Sequence, residues 1–170
     1  MWHMRWYCVA RPGESWKVDR ELVSAIETRP IRATETLDLR HRILRPHDPV
    51  ILPTPGDTKP GALHIGCFVN GRLVGVGSLV PEPRDHAAQP TSWCVRGMAV
   101  LADARGIGAG GMILQALIDY ASAQSLPAEI WCHGRVSAQG FYERYGFAQQ
   151  GALYERPGTG LHALMVKMLQ

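Results

Sequence analysis

A strand, a glycine-rich turn and a helix follow one another between residues 93 and 121, and this succession constrains the chain more than any other feature. The strand covers residues 93–100, the turn reads Arg105-Gly106-Ile107-Gly108-Ala109-Gly110, and the helix opens at Gly111. Glycines at the start of a helix leave the first backbone N–H groups uncovered, and the helix dipole adds partial positive charge behind them. The turn therefore predicts a binding site for a phosphate or pyrophosphate.

Two other phosphate-binding motifs fit the turn less well. Its glycines also satisfy the dinucleotide fingerprint G-x-G-x-x-G, which normally follows its strand at once and has an acid at the end of the next strand. Here five residues separate Val100 from the first glycine, and the nearby acid Glu129 opens the next strand instead. The P-loop fails because Met112-Ile113 stand where Lys and Ser/Thr are required. A purely structural turn is the remaining alternative.

A second segment, Phe141 to Phe147, follows about one helix and one strand later. Together the two segments resemble motifs A and B of the GCN5-related N-acetyltransferases (GNAT), over about residues 31–170. The motif-A signature Q/R-x-x-G-x-G/A has its defining places filled by Arg105, Gly108 and Gly110. The motif-B pattern A-x-x-F-Y-x-x-x-G-F is matched place for place by Ala138, Phe141, Tyr142, Gly146 and Phe147.

The resemblance implies an α/β fold with a central mixed β-sheet flanked by helices. It also implies a single acetyltransferase domain over residues 31–170, preceded by an N-terminal extension over residues 1–30. Acetyl-CoA would bind with its pyrophosphate on the turn and its pantetheine arm along the motif-A strand. The residues expected to bind it are Met98, Ala99, Val100, Arg105, Gly106, Ile107, Gly108, Ala109, Gly110 and Gly111.

Tyr142 matches the family tyrosine that protonates the departing CoA sulfur. A phenol with a pKa near ~10 keeps its proton at neutral pH and can donate it. The alternative is that the ring only packs between its helix and the cofactor. The thioester carbonyl would be polarised by a backbone N–H of residues 98–100, as is usual in the family.

The general base is harder to assign, because the strand positions that hold Glu or His in several family members carry Cys94 and Arg96 here. Arginine stays protonated and cannot accept the proton. We slightly favour His162 as the base; ordered water is another route, and the other side chains considered are Glu155, His133, Asp85 and His86. Arg96 is expected to bind substrate, favouring acceptors that carry a carboxylate over polyamines.

The sequence therefore predicts an acetyl-CoA-dependent N-acetyltransferase in which a primary amine of a small molecule or peptide attacks the thioester directly. The alternative is a non-catalytic CoA-binding or regulatory domain of the same fold. Release of CoA thiol across a panel of amines would separate the two.

Composition excludes other classes of function. The net charge of the 170 residues is only +3, with bases scattered among acids, so no nucleic-acid partner is expected. No apolar run is long enough for a membrane helix or a signal segment, which favours a cytoplasmic protein without a membrane partner. The four cysteines form no C-x-x-C pair and predict no metal site. A homodimer is compatible with the resemblance.

The local patterns also predict the remaining elements. Asn70-Gly71 between two apolar runs predicts a β-hairpin, and the prolines between His47 and Gly61 predict a loop without a regular helix. Gly146 is expected to end the motif-B helix as a left-handed cap. The other expected elements are helices over residues 19–28 and 37–44, with Thr34 or Thr36 as cap of the second, and strands over 31–33, 63–69, 72–79, 129–133, 147–154 and 162–169.

Overall fold

The computed structural model describes residues 25–84 and 91–170, which form one seven-stranded mixed sheet with helices on both faces. The strand order across the sheet is β1-β2-β3-β4-β5-β7-β6. The strands are β1 (Ile26–Pro30), β2 (Leu63–Val69), β3 (Arg72–Pro81), β4 (Thr91–Val100), β5 (Ala128–Arg135), β6 (Ala148–Arg156) and β7 (Gly160–Leu169). The helices are α1 (Leu37–Leu44), α2 (Ala109–Gln124) and α3 (Gln139–Glu143), and short 3₁₀ turns cover Ala33–Thr36, Ala102–Ala104 and Val136–Ala138.

The sheet opens between β4 and β5. These strands are the parallel neighbours in the sheet, and their pairing covers only residues 91–94 of β4 and 128–131 of β5. The other neighbouring strands pair antiparallel along most of their length. Beyond Cys94 and Trp131 the two strands diverge, and we call the space between them the gap. One edge of β4 is therefore left without a neighbouring strand over its last residues.

The two faces of the sheet carry different helices. A Cβ on Gly77 would overlap Ile113 of α2, whereas the next side chain along β3, Ser78, hydrogen-bonds to Arg40 of α1. Because neighbouring residues of a strand point to opposite faces, α1 and α2 lie on opposite sides of the sheet. We call the side with Gly77, Trp93, Ile130 and Gly134 the α2 face, and the side with Ser78, Cys94, Trp131 and His133 the α1 face.

The main hydrophobic core lies under α2. Ile113, Leu114 and Leu117 are fully buried against β2, β3 and β4. Trp93 of β4 packs edge-on against Tyr120 of α2, with ring centroids 5.9 Å apart. The core holds α2 firmly on the sheet, and with it the glycine turn at its N-terminus. Within the described residues no helix is long and apolar enough to cross a membrane.

The first strand lies earlier than predicted. We expected it at residues 31–33, but it covers Ile26–Pro30, and Ala33 opens a 3₁₀ turn instead. The last residues of the helix expected over 19–28 are therefore part of a strand, and its remainder lies outside the described residues. The pairing of β1 with β2 sets the position of the first strand, because tertiary contacts override weak local patterns. Five residues of the predicted N-terminal extension thus belong to the sheet; the division at residue 30 itself stays a prediction.

Several other local predictions are confirmed. Helix α1 begins after Thr36 and ends ahead of Pro46, but Thr36 makes no side-chain capping hydrogen bond, because its hydroxyl donates to Ala33 O instead. Asn70 and Gly71 have φ angles of 49° and 78°, as a tight hairpin between β2 and β3 requires. No helix forms between α1 and β2, in the proline-rich loop. Gly146 ends the α3 segment with a φ of 81°, and Phe147 N–H donates to Tyr142 O at 3.2 Å.

Candidate active site

A cleft of about 820 Å³ lies beside the gap, between the end of β4, the glycine turn and α3. Its walls combine backbone at the turn with aromatic side chains of α3. The lining residues are Met98, Ala99, Val100, Ala104, Arg105, Gly106, Gly108, Ala109, Gly110, Gly111, Arg135, Ser137, Ala138, Phe141, Tyr142, Arg144 and Tyr145. The predicted phosphate-binding turn and the predicted proton donor therefore share one cleft.

The turn exposes its backbone to this cleft. The first hydrogen bond of α2 runs from Met112 N–H to Gly108 O at 3.0 Å, so the N–H groups just ahead of Met112 precede the helical ladder. Gly106 and Gly108 have φ angles of 82° and 91°, and a Cβ on either would enter open space. A Cβ on Gly111 would overlap the Tyr145 hydroxyl. The first two glycines thus leave room for an anion, and the third lets α3 approach α2.

The charge of the cleft suits an anion. Arg105, Arg135 and Arg144 line it, and no Asp or Glu occurs among its described lining residues. Arg105 Nε donates to Val100 O at 3.4 Å, which holds the side chain beside the end of β4. Arg135 Nη2 donates to Leu44 O at 3.3 Å, at the end of α1. The three guanidinium groups and the N-terminus of α2 give the cleft a positive potential.

Tyr142 is buried at the wall of the cleft. Its ring lies against Gly134 of β5, where a Cβ would come within 3.2 Å of it, and between the rings of Phe141 and Phe147. Burial, followed by the neighbouring Cys132 thiol, raises the pKa of Tyr142 well above its usual value. The phenol therefore keeps its proton throughout the neutral range and is suited to donate it.

Nine of the ten residues expected to bind acetyl-CoA line the cleft, and Ile107 does not. Its side chain is 52% exposed and faces a separate shallow depression with Val69 and Arg72. Seven lining residues, mainly on the α3 side, were not among the predicted site residues: Ala104, Arg135, Ser137, Ala138, Phe141, Arg144 and Tyr145. The spacing of residues 138, 141, 142 and 145 places them on one helical face and could have predicted most of this wall.

Arg96 lies on the α1 face beside the gap, but its charge is already paired. Its Nη2 forms a salt bridge with Glu82, its Nη1 donates to Pro55 O at 2.8 Å, and its Nε donates to Cys94 Sγ at 3.3 Å. Lys59 also pairs with Glu82, at 2.7 Å. Arg96 as a substrate-binding residue stays a prediction, but the free positive charge on which we based a preference for acidic acceptors is absent.

His133 lies on the α1 face near the point where β4 leaves β5. It is exposed, and Nδ1 hydrogen-bonds to the Tyr154 hydroxyl. Partial burial, together with the positive charges of Arg156 and Arg96, lowers the pKa of His133 below its usual value. The imidazole is therefore neutral at pH 7 and able to accept a proton.

His162, which we favoured as the base, is less accessible. It lies on β7 opposite Arg135, is only 5% exposed, and its Nδ1 contacts Gly160 O at 2.7 Å. Glu155, another candidate, is exposed on β6 at the edge of the sheet. Asp85 and His86 lie outside the described residues. Among the candidates that the structure describes, His133 lies best for a base at the gap.

The three cysteines that the structure describes give no sign of a metal centre. Cys67, Cys94 and Cys132 are free and buried, and burial raises the pKa of Cys94 to about 11. Within residues 25–84 and 91–170, no cluster of His, Cys, Asp and Glu could hold a metal ion. The expected absence of a metal requirement itself stays a prediction.

Comparison with known proteins identifies relatives by sequence. The model of the family described as "Acetyltransferase (GNAT) family" matches residues 24–147. The chain is 30% identical over 146 residues to "Uncharacterized N-acetyltransferase YitI" of Bacillus subtilis strain 168; the match covers 85% of this chain and 97% of YitI.

Comparison of folds agrees. Escherichia coli ElaA superposes with a TM-score of 0.68 at 19% identity, covering 84% of this chain and 99% of ElaA. Arabidopsis thaliana Naa50, solved in complex with the bisubstrate analogue CoA-Ac-MVNAL, superposes with a TM-score of 0.64 at 20% identity, covering 84% of this chain and 97% of Naa50. At these identities the two structures support the fold alone.

Proposed function

The chain belongs to the GNAT acetyltransferase family, and on that premise we propose that it transfers an acetyl group from acetyl-CoA to a primary amine of a small molecule or peptide. Its mixed sheet flanked by helices is the GNAT fold that the sequence predicts. The observation that carries the proposal is the single cleft in which the open backbone of the turn, three arginines and the protonated phenol of Tyr142 meet.

The glycine turn is suited to hold the pyrophosphate of acetyl-CoA. Its free N–H groups, the N-terminus of α2 and Arg105 supply donors and positive charge at one place. Open space over Gly106 and Gly108 lets phosphate oxygens approach the backbone within hydrogen-bonding distance. The rest of the cofactor would run along β4 toward the gap.

Backbone N–H groups of β4 are suited to polarise the thioester carbonyl. Leu101 N–H donates to Val74 O of β3, so along a regular strand the N–H groups of Met98 and Val100 point the other way, into the gap. Among the residues that the structure describes, no strand pairs with β4 on that side beyond Cys94. A carbonyl oxygen placed there would accept a hydrogen bond that strengthens as negative charge develops on it.

Tyr142 and His133 lie on opposite faces near the same point of β5. Tyr142 packs on Gly134 from the α2 face, and His133, one residue earlier, points to the α1 face. In our proposal the neutral amine approaches from the α1 face and attacks the carbonyl carbon, and its nitrogen gives up one proton to His133 as the C–N bond forms. The C–S bond breaks, Tyr142 protonates the departing thiolate, and the proton held by His133 returns through solvent to the Tyr142 phenolate. His162 stays the second candidate for the base.

The Naa50 complex supports an amine acceptor, because one molecule that joins CoA to the peptide MVNAL binds that protein of the same fold. The particular acceptor of this chain is left to experiment. A cytoplasmic location, which cell fractionation would test, and a homodimer, which light scattering would test, belong to the proposal as well.

The direct test is release of CoA thiol from acetyl-CoA in the presence of amino acids, peptides with a free N-terminus and polyamines. Thiol release that depends on one class of amine, with the acetylated product seen by mass spectrometry, supports the proposal. Tight binding of acetyl-CoA without thiol release across the panel would instead favour the non-catalytic CoA-binding domain.

A further inference from the structure

Arg40 of α1 is fully buried, which is unusual for an arginine. Its Nη1 forms an ion pair with Asp57 of the proline-rich loop at 3.0 Å and also donates to Thr36 Oγ1 at 3.0 Å. Its Nη2 donates to Ser78 Oγ at 2.5 Å. Burial of an ion pair contributes little net stability, so such a pair is weak evidence of a purely stabilising role.

The remaining donor of this guanidinium reaches β4. Arg40 Nε donates to Gly97 O at 3.0 Å, and Nη2 lies 3.4 Å from Arg96 O. Gly97 has a φ of 59°, and two residues of β4 there oppose one of β3, which is a β-bulge. A Cβ on Gly97 would overlap the guanidinium, so Arg40 can occupy this position only because residue 97 is a glycine.

The bulge lies in the part of β4 that borders the gap. The peptide bond between Gly97 and Met98 is trans, so its C=O and its N–H point in opposite directions. Gly97 C=O points toward Arg40, so Met98 N–H points away from Arg40. Leu101 N–H bonds to β3 and Ala99 pairs with Val76 of β3, so the N–H of Met98 lies on the other edge of β4, which borders the gap. A cation that binds the oxygen of a peptide group both fixes the plane of that group and draws electron density away from its N–H.

We propose that Arg40 is a positioning residue for acyl transfer: by binding Gly97 O it orients the Met98 N–H toward the thioester carbonyl and strengthens it as a donor. The inference rests on the proposed function and goes beyond it, because Arg40 touches neither the cleft nor the gap itself. Asp57 fixes the guanidinium from the loop that follows α1. The proline-rich loop is thereby tied to the peptide group that would polarise the substrate.

The readout is the carbonyl stretch of acetyl-CoA labelled with ¹³C at its carbonyl, measured by infrared difference spectroscopy on the protein. A polarised carbonyl absorbs at lower frequency than it does in water. Wild type is expected to shift the band downward. Arg40→Lys keeps a charge but lacks the planar fork that binds Asp57, Ser78 and Gly97 O together, and it is expected to lose most of the shift.

The same variant is expected to lower kcat by about tenfold and to leave the Kd of acetyl-CoA within about twofold, because the phosphate site is untouched. Arg42→Lys is the matched control: it makes the same exchange on α1, where the Arg42 side chain is 60% exposed and pairs with Asp38. The kcat and the carbonyl band of Arg42→Lys are expected to stay near those of wild type.

Should Arg40→Lys fail to fold, Arg40→Gln/Asp57→Asn removes both buried charges together and avoids an unpaired carboxylate. It is expected to show the same loss of band shift and of kcat. A folded variant of either kind with a wild-type band and wild-type kcat overturns the inference. If the wild type itself neither binds acetyl-CoA nor releases thiol, the proposed function fails instead, and the two failures are thus distinguishable.

Discussion

The α2 face and the α1 face meet at the same gap but are built from different interactions. On the α2 face the site consists of backbone and rings: the turn at Gly108 and the packed phenol of Tyr142. On the α1 face it consists of paired polar side chains, such as Arg96 with Glu82 and His133 with Tyr154. Under the proposed function, the cofactor would bind the backbone and rings of the α2 face, and the amine would meet the paired polar side chains of the α1 face.

Gly108→Val makes the strongest test of the α2 side. The side chain would enter the space that a phosphate needs, so we expect the Kd of acetyl-CoA to rise about a hundredfold, as for loss of two charge-assisted hydrogen bonds at about 1.5 kcal/mol each. Calorimetry measures it. Gly158→Val is the matched control, because Gly158 also has a positive φ (74°) and open space but lies in the β6–β7 turn. Equal affinity in the two variants would contradict the phosphate site.

Tyr142→Phe tests the proposed proton donor on the α2 face and should leave the binding of acetyl-CoA unchanged. We expect kcat to fall by more than about tenfold and the KM for acetyl-CoA to stay within about twofold, since only the proton donor is lost. Tyr120→Phe, on α2 beside Trp93, serves as the control. Because the pKa of Tyr142 is raised, wild-type kcat should show no loss from its ionisation below about pH 10. Full turnover in Tyr142→Phe would make the ring a packing residue only.

His133→Gln tests the proposed base on the α1 face. We expect kcat/KM for the amine to fall by about tenfold while binding of acetyl-CoA is unchanged. The pKa of His133 is lowered, so protonation of His133 should not limit kcat of the wild type at neutral pH and should lower it only as the pH drops below about 6.5, when the imidazole takes up a proton. The pH profile of His133→Gln should lack this fall in activity at acidic pH. If His162→Gln removes the fall and His133→Gln does not, the base is His162.

Glu82→Gln should have the smallest effect. It leaves the charge of Arg96 uncompensated at the gap, so the ratio of kcat/KM for acidic over basic acceptors should rise about threefold, the size expected of a partly exposed ion pair. Amine-panel assays measure the ratio. Arg96→Ala in the same background should cancel the rise. An unchanged ratio would show that Arg96 does not sense the charge of the acceptor.

The contrast between the faces also explains what the sequence could predict. A site made of backbone needs glycines at fixed spacing, so the sequence predicts the turn from Arg105 to Gly111 and the motif around Tyr142. It also predicts the hairpin at Asn70-Gly71 and most strands. Those features depend on residues close together in the chain.

The α1 face depends instead on contacts between residues that are far apart in the sequence, and no local pattern predicts such contacts. Arg40 meets Asp57 and Gly97 only after three elements have packed, and Arg96 meets Glu82 across a strand pair. The sequence could not show that Glu82 compensates the charge of Arg96, and the expected preference for acidic acceptors stays a prediction. The early start of β1 has the same origin, because its position is fixed by pairing with β2.

The gap between β4 and β5 has a consequence for the order of events. Since the strands are joined only at residues 91–94 and 128–131, the proposed function would let acetyl-CoA approach the gap from the α2 face and the amine from the α1 face. Under the proposed function the two substrates would bind independently, a ternary complex would form in either order, and no acyl-enzyme intermediate would be needed. Spent CoA would then compete with acetyl-CoA but not with the amine, the product-inhibition pattern of a sequential rather than a ping-pong enzyme.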